Sequence, residues 1–173
     1  KNHYDRGIAD IERSLQRAHS GKFDRVVFSG SFIKHQHQKE MIQMCNTYGL
    51  QVGIQTPVES LTREICDDLK SKSIYFNLII GQSEIINYDF IKSILQEFPG
   101  SYITYLVNRE TNYKKILSGF PKELTDYLFF NFPYRLTADK PLFSCNQVNK
   151  ICKDIKESFS IVAKPMIGQE IWD

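Results

Sequence analysis

Arg109 and Arg135 each stand just past a short apolar run. A guanidinium fork in such a place clamps a carboxylate or a phosphate through paired hydrogen bonds. Glu110 is the obvious competing partner for Arg109. Lys164 closes another apolar run directly before Pro165, a position from which a desolvated lysine in a barrel forms a Schiff base. Glu84 and Glu170 are the carboxylates placed for acid–base work. His35-Gln-His37 is the one spacing with metal character, because imidazole nitrogens suit zinc or iron. The pair follows an apolar run instead of lying within it, so it is expected to be two loop histidines and no metal site; a metal-dependent hydrolase is kept only as an outlier. The four cysteines, Cys45, Cys66, Cys145 and Cys152, form no CxxC pair and are expected to be free, partly buried thiols.

Asn131-Phe-Pro-Tyr-Arg135 places aromatic rings on both sides of a proline that enforces extended backbone. Phe132 is expected in the core. Tyr134 is expected at the wet end, where its ring stacks on a ligand and its hydroxyl finds a partner. Tyr88, Phe90, Tyr102 and Tyr105 are expected as core or helix–sheet contacts, since no basic stripe is interleaved with them. No Gly-x-Ser-x-Gly elbow, GxGxxG or GxxxxGK[ST] motif and no calcium loop occurs, which sets those enzyme families aside.

These residues need elements to hold them. Six apolar runs, Arg25–Ser29, Gln51–Gln55, Ile74–Ile80, Tyr102–Val107, Tyr127–Asn131 and Ser160–Lys164, start every 23–33 residues. Between them lie helical patterns: Gly7–His19, Gln36–Tyr48 closed by Gly49, Glu59–Lys70 capped near Glu59 or Ser60, a helix from Asn87 through Phe98, Thr111–Ser118 and Ser144–Glu157. Leu136–Leu142 is the longest expected loop. The alternation predicts an α/β fold with a parallel sheet, wound as a partial or TIM-like (β/α) barrel of six units or as an open doubly wound sheet. Either winding puts ligands at the carboxyl ends of the strands. The polar residues expected there are Ser29, Ser31, His35, His37, Gln55, Thr56, Gln82, Ser83, Glu84, Asn108, Arg109, Glu110, Asn131, Tyr134, Arg135, Lys164, Gln169 and Glu170.

Length and composition bound the class. A chain of 173 residues with 42% hydrophobic and 24% charged residues is expected to be one soluble domain. A net charge of +2 with dispersed lysines gives no footprint for nucleic acid or an anionic membrane. No run approaches the length of a membrane span, and no signal peptide opens the sequence, so a cytoplasmic location is expected. The first residue is Lys1, and the chain is expected to be part of a longer polypeptide.

Three segments carry a resemblance to a known family. They are Phe23-Asp-Arg-Val-Val-Phe-Ser-Gly-Ser-Phe32, Leu50-Gln-Val-Gly-Ile-Gln-Thr-Pro57 and Phe76-Asn-Leu-Ile-Ile-Gly-Gln-Ser83. In order and spacing they resemble the middle of a radical S-adenosylmethionine enzyme barrel. In that family the corresponding strands end in Gly-Gly-Glu-Pro, near Thr-Asn-Gly and in a Ser-x-Asp-Gly-like turn. The later strands continue the same partial barrel. The resemblance implies that Ser29, Gly30, Ser31, Gln55, Gln82 and Ser83 face S-adenosylmethionine. It implies that Asn108, Arg109, Asn131, Tyr134, Arg135 and Lys164 face the substrate. The family's CxxxCxxC loop is absent, so S-adenosylmethionine and a 4Fe–4S cluster are expected only in the parent protein, with the loop upstream of Gly7. Gly30 is kept, but Ser31, Phe32 and Ile33 stand where the family has Gly, Glu and Pro. The expected function is the substrate-facing part of a larger enzyme, with a small-molecule or peptide ligand at the strand ends and other domains of the parent chain as partners. The alternative is a non-catalytic binding or interaction module in a multidomain protein, which the loss of Glu at Phe32 favours.

Overall fold

Short apolar runs punctuated by capped helices fold into a single parallel sheet. The structure is a computed structural model that describes residues 7–70, 73–80, 86–107, 113–134, 143–161, 163 and 165–170. The strands are β1 (Arg25–Phe28), β2 (Gln51–Pro57), β3 (Ile74–Ile80), β4 (Tyr102–Leu106), β5 (Leu128–Tyr134) and β6 (Pro165–Glu170). The helices are α1 (Ile8–Ser20), α2 (Gln38–Thr47), α3 (Arg63–Leu69), α4 (Tyr88–Glu97), α5 (Tyr113–Ser118) and α6 (Cys145–Phe159). The six strands lie side by side in sequence order, every neighbouring pair parallel. An order without a reversal point means that each right-handed crossover turns the same way.

The helix layer confirms that winding. Leu15 of α1, Ile42 of α2, Cys66 of α3, Ile91 of α4, Leu117 of α5 and Ile155 of α6 are buried in one cluster with Val52, Ile54, Phe76, Leu78, Ile103, Tyr105 and Phe130 of the strands. The register places those strand residues on one face of the sheet. The helices therefore cover that face, and the other face is the hollow of a partial (β/α) barrel.

Local chemistry sets the helix ends. The Thr62 hydroxyl accepts from the Ile65 N–H, the Asn87 side chain from the Phe90 N–H, and Ser144 forms a capping box with Gln147. Gly49 (φ 67°) and Gly100 (φ 86°) supply the left-handed turns after α2 and α4. Thr62, not Glu59 or Ser60, caps α3, because Val58–Ser60 forms its own 3-10 turn first.

The last strand departs from the sequence expectation. Ser160 ends α6 in the left-handed region (φ 56°), with its N–H on the Lys156 carbonyl. The strand begins only at Pro165 and pairs Phe130↔Pro165 and Phe132↔Ile167. A proline lacks the N–H of a ladder, yet it is accepted as the first residue of an edge strand. Among the described residues, no helix is long and apolar enough to cross a membrane.

Candidate functional site

The hollow face carries Gln55, Tyr75, Asn77, Tyr102, Thr104, Phe129 and Asn131, a more polar set than the helix-facing side. Its side chains meet diagonally, each two residues on from the register partner (Tyr75 with Tyr102, Tyr102 with Phe129, Asn77 with Thr104), so they fall into oblique rows, called layers below. The lower layer, toward the amino ends, is aromatic. Tyr75 stacks near Tyr102 (6.4 Å between ring centres), Tyr102 meets Phe129 edge to face (5.3 Å), and the Arg25 guanidinium lies 6.0 Å from the Tyr75 ring. Burial, with Tyr75 adding and Arg25 opposing, pushes the Tyr102 phenol above its ordinary value. Gly53 makes room for this layer, since a Cβ there would stand 2.5 Å from Tyr75 Cζ.

Above the rings lies a neutral polar layer formed by Asn77, Thr104 and Asn131. Asn77 is 0% exposed and Asn131 1% exposed, both on central strands. Thr104 Oγ1 donates to Asn77 Oδ1 at 2.6 Å. Asn77 Nδ2 and Asn131 Oδ1 are buried without a hydrogen-bond partner in the chain. A buried, unmatched donor and acceptor each cost free energy that ordinary packing does not return. The half-buried Gln55, Ile79 and Leu106 stand one layer higher, toward the carboxyl ends.

The structure distributes the expected site residues unevenly. Gln55 and Asn131 share the hollow face. Thr56 does not: it is buried on the helix-facing side, and its hydroxyl contacts the Pro57 carbonyl at 3.3 Å. Ser29 is extended and leads into a 3-10 turn, Gly30–Lys34, which opens with Gly30 at φ 69° and contains Ser31. Tyr134 and Glu170 are register partners at the carboxyl ends of β5 and β6, next to an irregularity between Phe132 and Tyr134, and Gln169 precedes Glu170 in β6. Phe132 is 5% exposed, in the core as expected. Gln82, Ser83, Glu84, Asn108, Arg109, Glu110, Arg135, Lys164 and the loop 136–142 lie outside the described residues.

His35 and His37 are tied up locally. The His37 N–H donates to His35 Nδ1 at 3.2 Å, and His37 Nδ1 meets Glu40 Oε2 at 2.9 Å. Among the described residues, no group of three or more His, Cys, Asp or Glu side chains gathers to hold a metal. The thiols do not suit a cluster either. Cys45 and Cys66 are buried in the helix layer, where burial pushes each thiol up to about 11, away from the thiolate that iron needs. Cys145 is exposed and Cys152 half-buried. At the turn after β1, Phe32 is 6% exposed and stacks flat on Phe28 (4.2 Å, 7°), so an apolar ring fills the place where the resemblance calls for a carboxylate. The described residues fit neither a 4Fe–4S cluster nor a carboxylate grip on the amino group of S-adenosylmethionine.

Asn77, Thr104 and Tyr75 escaped the sequence reading. The available signal was Asn77 itself, a lone amide inside the otherwise apolar run Ile74–Ile80.

Comparison with known proteins bears on the fold. No family model and no curated protein matches the chain. Among solved structures it is similar to SuiB of Streptococcus suis, with a TM-score of 0.60 and 14% identity over 99% of this chain and 44% of that one. SuiB bound to the precursor peptide SuiA gives a TM-score of 0.63 at 14% identity, covering 96% of this chain and 43% of that one. SuiB bound to S-adenosylmethionine gives 0.61 at 14% identity, covering 99% and 45%. The chain thus spans less than half the length of SuiB. At such low identity the likeness shows the fold alone, an α/β partial barrel.

Proposed function

We propose that this chain is the ligand-holding, substrate-facing part of a radical S-adenosylmethionine-like protein, and that the hollow of its partial barrel seats a small molecule or a peptide. The observation that carries the reading is the neutral polar layer, with Asn77 Nδ2 and Asn131 Oδ1 buried and unmatched on the hollow face. A fold selected only for stability replaces such groups with apolar ones, so their presence points to a ligand. SuiB, seen with a precursor peptide and with S-adenosylmethionine, supports a ligand of either kind in a barrel of this shape.

A second reading, a binding or interaction module without radical chemistry, is favoured by Phe32 packed on Phe28. The two readings separate on the polypeptide that carries this chain, purified without oxygen and assayed for iron and acid-labile sulfide, with visible spectra before and after S-adenosylmethionine. About four irons per chain, as one 4Fe–4S cluster holds, with a spectral response, makes this the substrate-facing part of an enzyme. No iron and no response leaves the binding module.

A further inference from the structure

We propose that the hollow binds an uncharged amide, a main-chain peptide group or a carboxamide, bridged between Asn77 and Asn131 and resting on the ring layer below. The inference rests on the reading of the hollow as a ligand seat and holds for the enzyme and the binding module alike.

The argument starts from charge. Of the side chains that β1–β5 direct into the hollow, only Arg25 is charged, and it sits on the edge strand against Tyr75. Among the described residues, no carboxylate faces inward from these strands to balance a cation, and no cation reaches the central strands to balance an anion. A charged ligand group at that depth would be desolvated without a partner, which is costly. A neutral polar group is not.

Complementarity is specific. Asn77 offers a free N–H, because its oxygen is taken by Thr104, and Asn131 offers a free oxygen. The missing partner is therefore one acceptor and one donor, facing opposite ways. A secondary amide has its C=O and N–H on opposite sides. Two hydrogen bonds of about 2.9 Å with an amide between them span roughly 8 Å. On β4 Asn77 is level with Tyr102 and Asn131 with Leu106, so the two amides are offset by four residues along the strands as well as by two strand spacings, roughly 9.5 Å, across them, and the inward convergence of side chains in a barrel brings them toward each other. Tyr75, Tyr102 and Phe129 supply a floor on which the flat amide plane rests. Entry is from the carboxyl ends, past the half-buried Gln55 and Leu106.

The test uses the chain labelled with nitrogen-15 and titrated with N-methylacetamide, with methyl acetate as the probe that lacks the N–H. The expected result is that N-methylacetamide shifts the side-chain amide signals of both Asn77 and Asn131, and that methyl acetate shifts Asn77 far more than Asn131. Asn131→Leu is expected to weaken N-methylacetamide binding more than tenfold while raising the thermal midpoint of the free chain by about 2–4 °C, the scale of one removed buried acceptor in a domain of this size. A structural role predicts the opposite sign, a lower midpoint. Undisturbed Asn77 and Asn131 signals at saturating probe, or a midpoint that falls in Asn131→Leu, overturns the proposal. The wild-type titration decides the matter even if the variant does not fold. Iron content and the response to S-adenosylmethionine do not enter this readout, so it fails or stands separately from the enzyme reading.

Discussion

The two faces of the sheet are made by the same strands and obey different rules. On the helix-facing side every inward position of β2–β4 is apolar except Thr56 and the phenol of Tyr105, and all are buried. On the hollow side, Gly53, Gln55, Tyr75, Asn77, Tyr102, Thr104, Phe129 and Asn131 alternate small, polar and aromatic character, with two polar atoms left unmatched. One face maximises dry packing. The other keeps hydrogen-bonding capacity that its own chain does not use. A parallel sheet with both faces spent on stability would read as continuous Val, Ile and Leu, and the proposed ligand seat rests on that difference.

Removing a ring from each face measures that difference. Phe76 is 0% exposed and packs edge-on against Phe98 at 4.9 Å. Phe76→Ala is expected to cost about 3–5 kcal/mol in urea unfolding, the range for a phenyl deleted from a close-packed core. Phe129→Ala, on the hollow face and only half-buried, is expected to cost less than half as much. Equal losses would mean that the hollow face is a second core, and the functional reading of it would lose its basis.

The same asymmetry explains what the sequence disclosed. The helix-facing side was legible because burial forces a repeating apolar residue: Val52, Ile54, Phe76, Leu78 and Ile103 fall in the apolar runs that mark β2–β4. The caps at Asn87 and Ser144 were legible because few residue types satisfy a helix N-terminus. The hollow face was obscure because its layers join residues from different strands, and that stagger is fixed by register, which a one-dimensional pattern does not encode. Gln55 and Asn131 were found as strand-end polar residues, but Asn77 was hidden inside an apolar run and Thr104 between Tyr102 and Tyr105. The last strand was misplaced because Ser160–Ala163 is apolar enough to imitate a strand, while the left-handed Ser160 and the proline start of β6 depend on the edge that β5 presents.

A smaller effect tests whether the ring layer is held by fit. Gly53 has ordinary backbone geometry, so Gly53→Ala costs through space alone: the new Cβ would stand 2.5 Å from Tyr75 Cζ and 2.6 Å from its hydroxyl oxygen. The Tyr75 ring must swing off Gly53 and away from Tyr102. The expected loss is about 1–3 kcal/mol, the usual cost of overpacking, with a changed near-ultraviolet tyrosine signal. Gly53→Ala combined with Tyr75→Ala is expected to lose less than the sum of the two single changes, because the clash partner is gone. Strict additivity would show that the ring does not rest on Gly53.

The smallest expected effect concerns charge, and it sharpens the contrast because Glu97 belongs to the helix side. Glu97, at the end of α4, accepts from Arg63 of α3 at 2.7 Å and also meets Lys70 at 3.3 Å. The Arg63 hydrogen bond, with Lys70 assisting, holds the Glu97 carboxyl below the usual carboxylate range. A carboxyl whose folded value is depressed contributes stability that is fully present above its unfolded value, about 4.3, and is lost as pH falls through the folded value. The pair is solvent-accessible, so the contribution is modest and screened by salt. Glu97→Gln is expected to flatten the fall of the urea midpoint below about pH 4.3 and to leave the midpoint at pH 7 slightly lower. The side chains that β1–β5 turn into the hollow include no carboxylate, so N-methylacetamide binding is expected to hold constant across the same pH window while the fold stays intact. A binding curve that tracks the Glu97 titration would place a carboxylate in the hollow and overturn its assignment as a neutral seat.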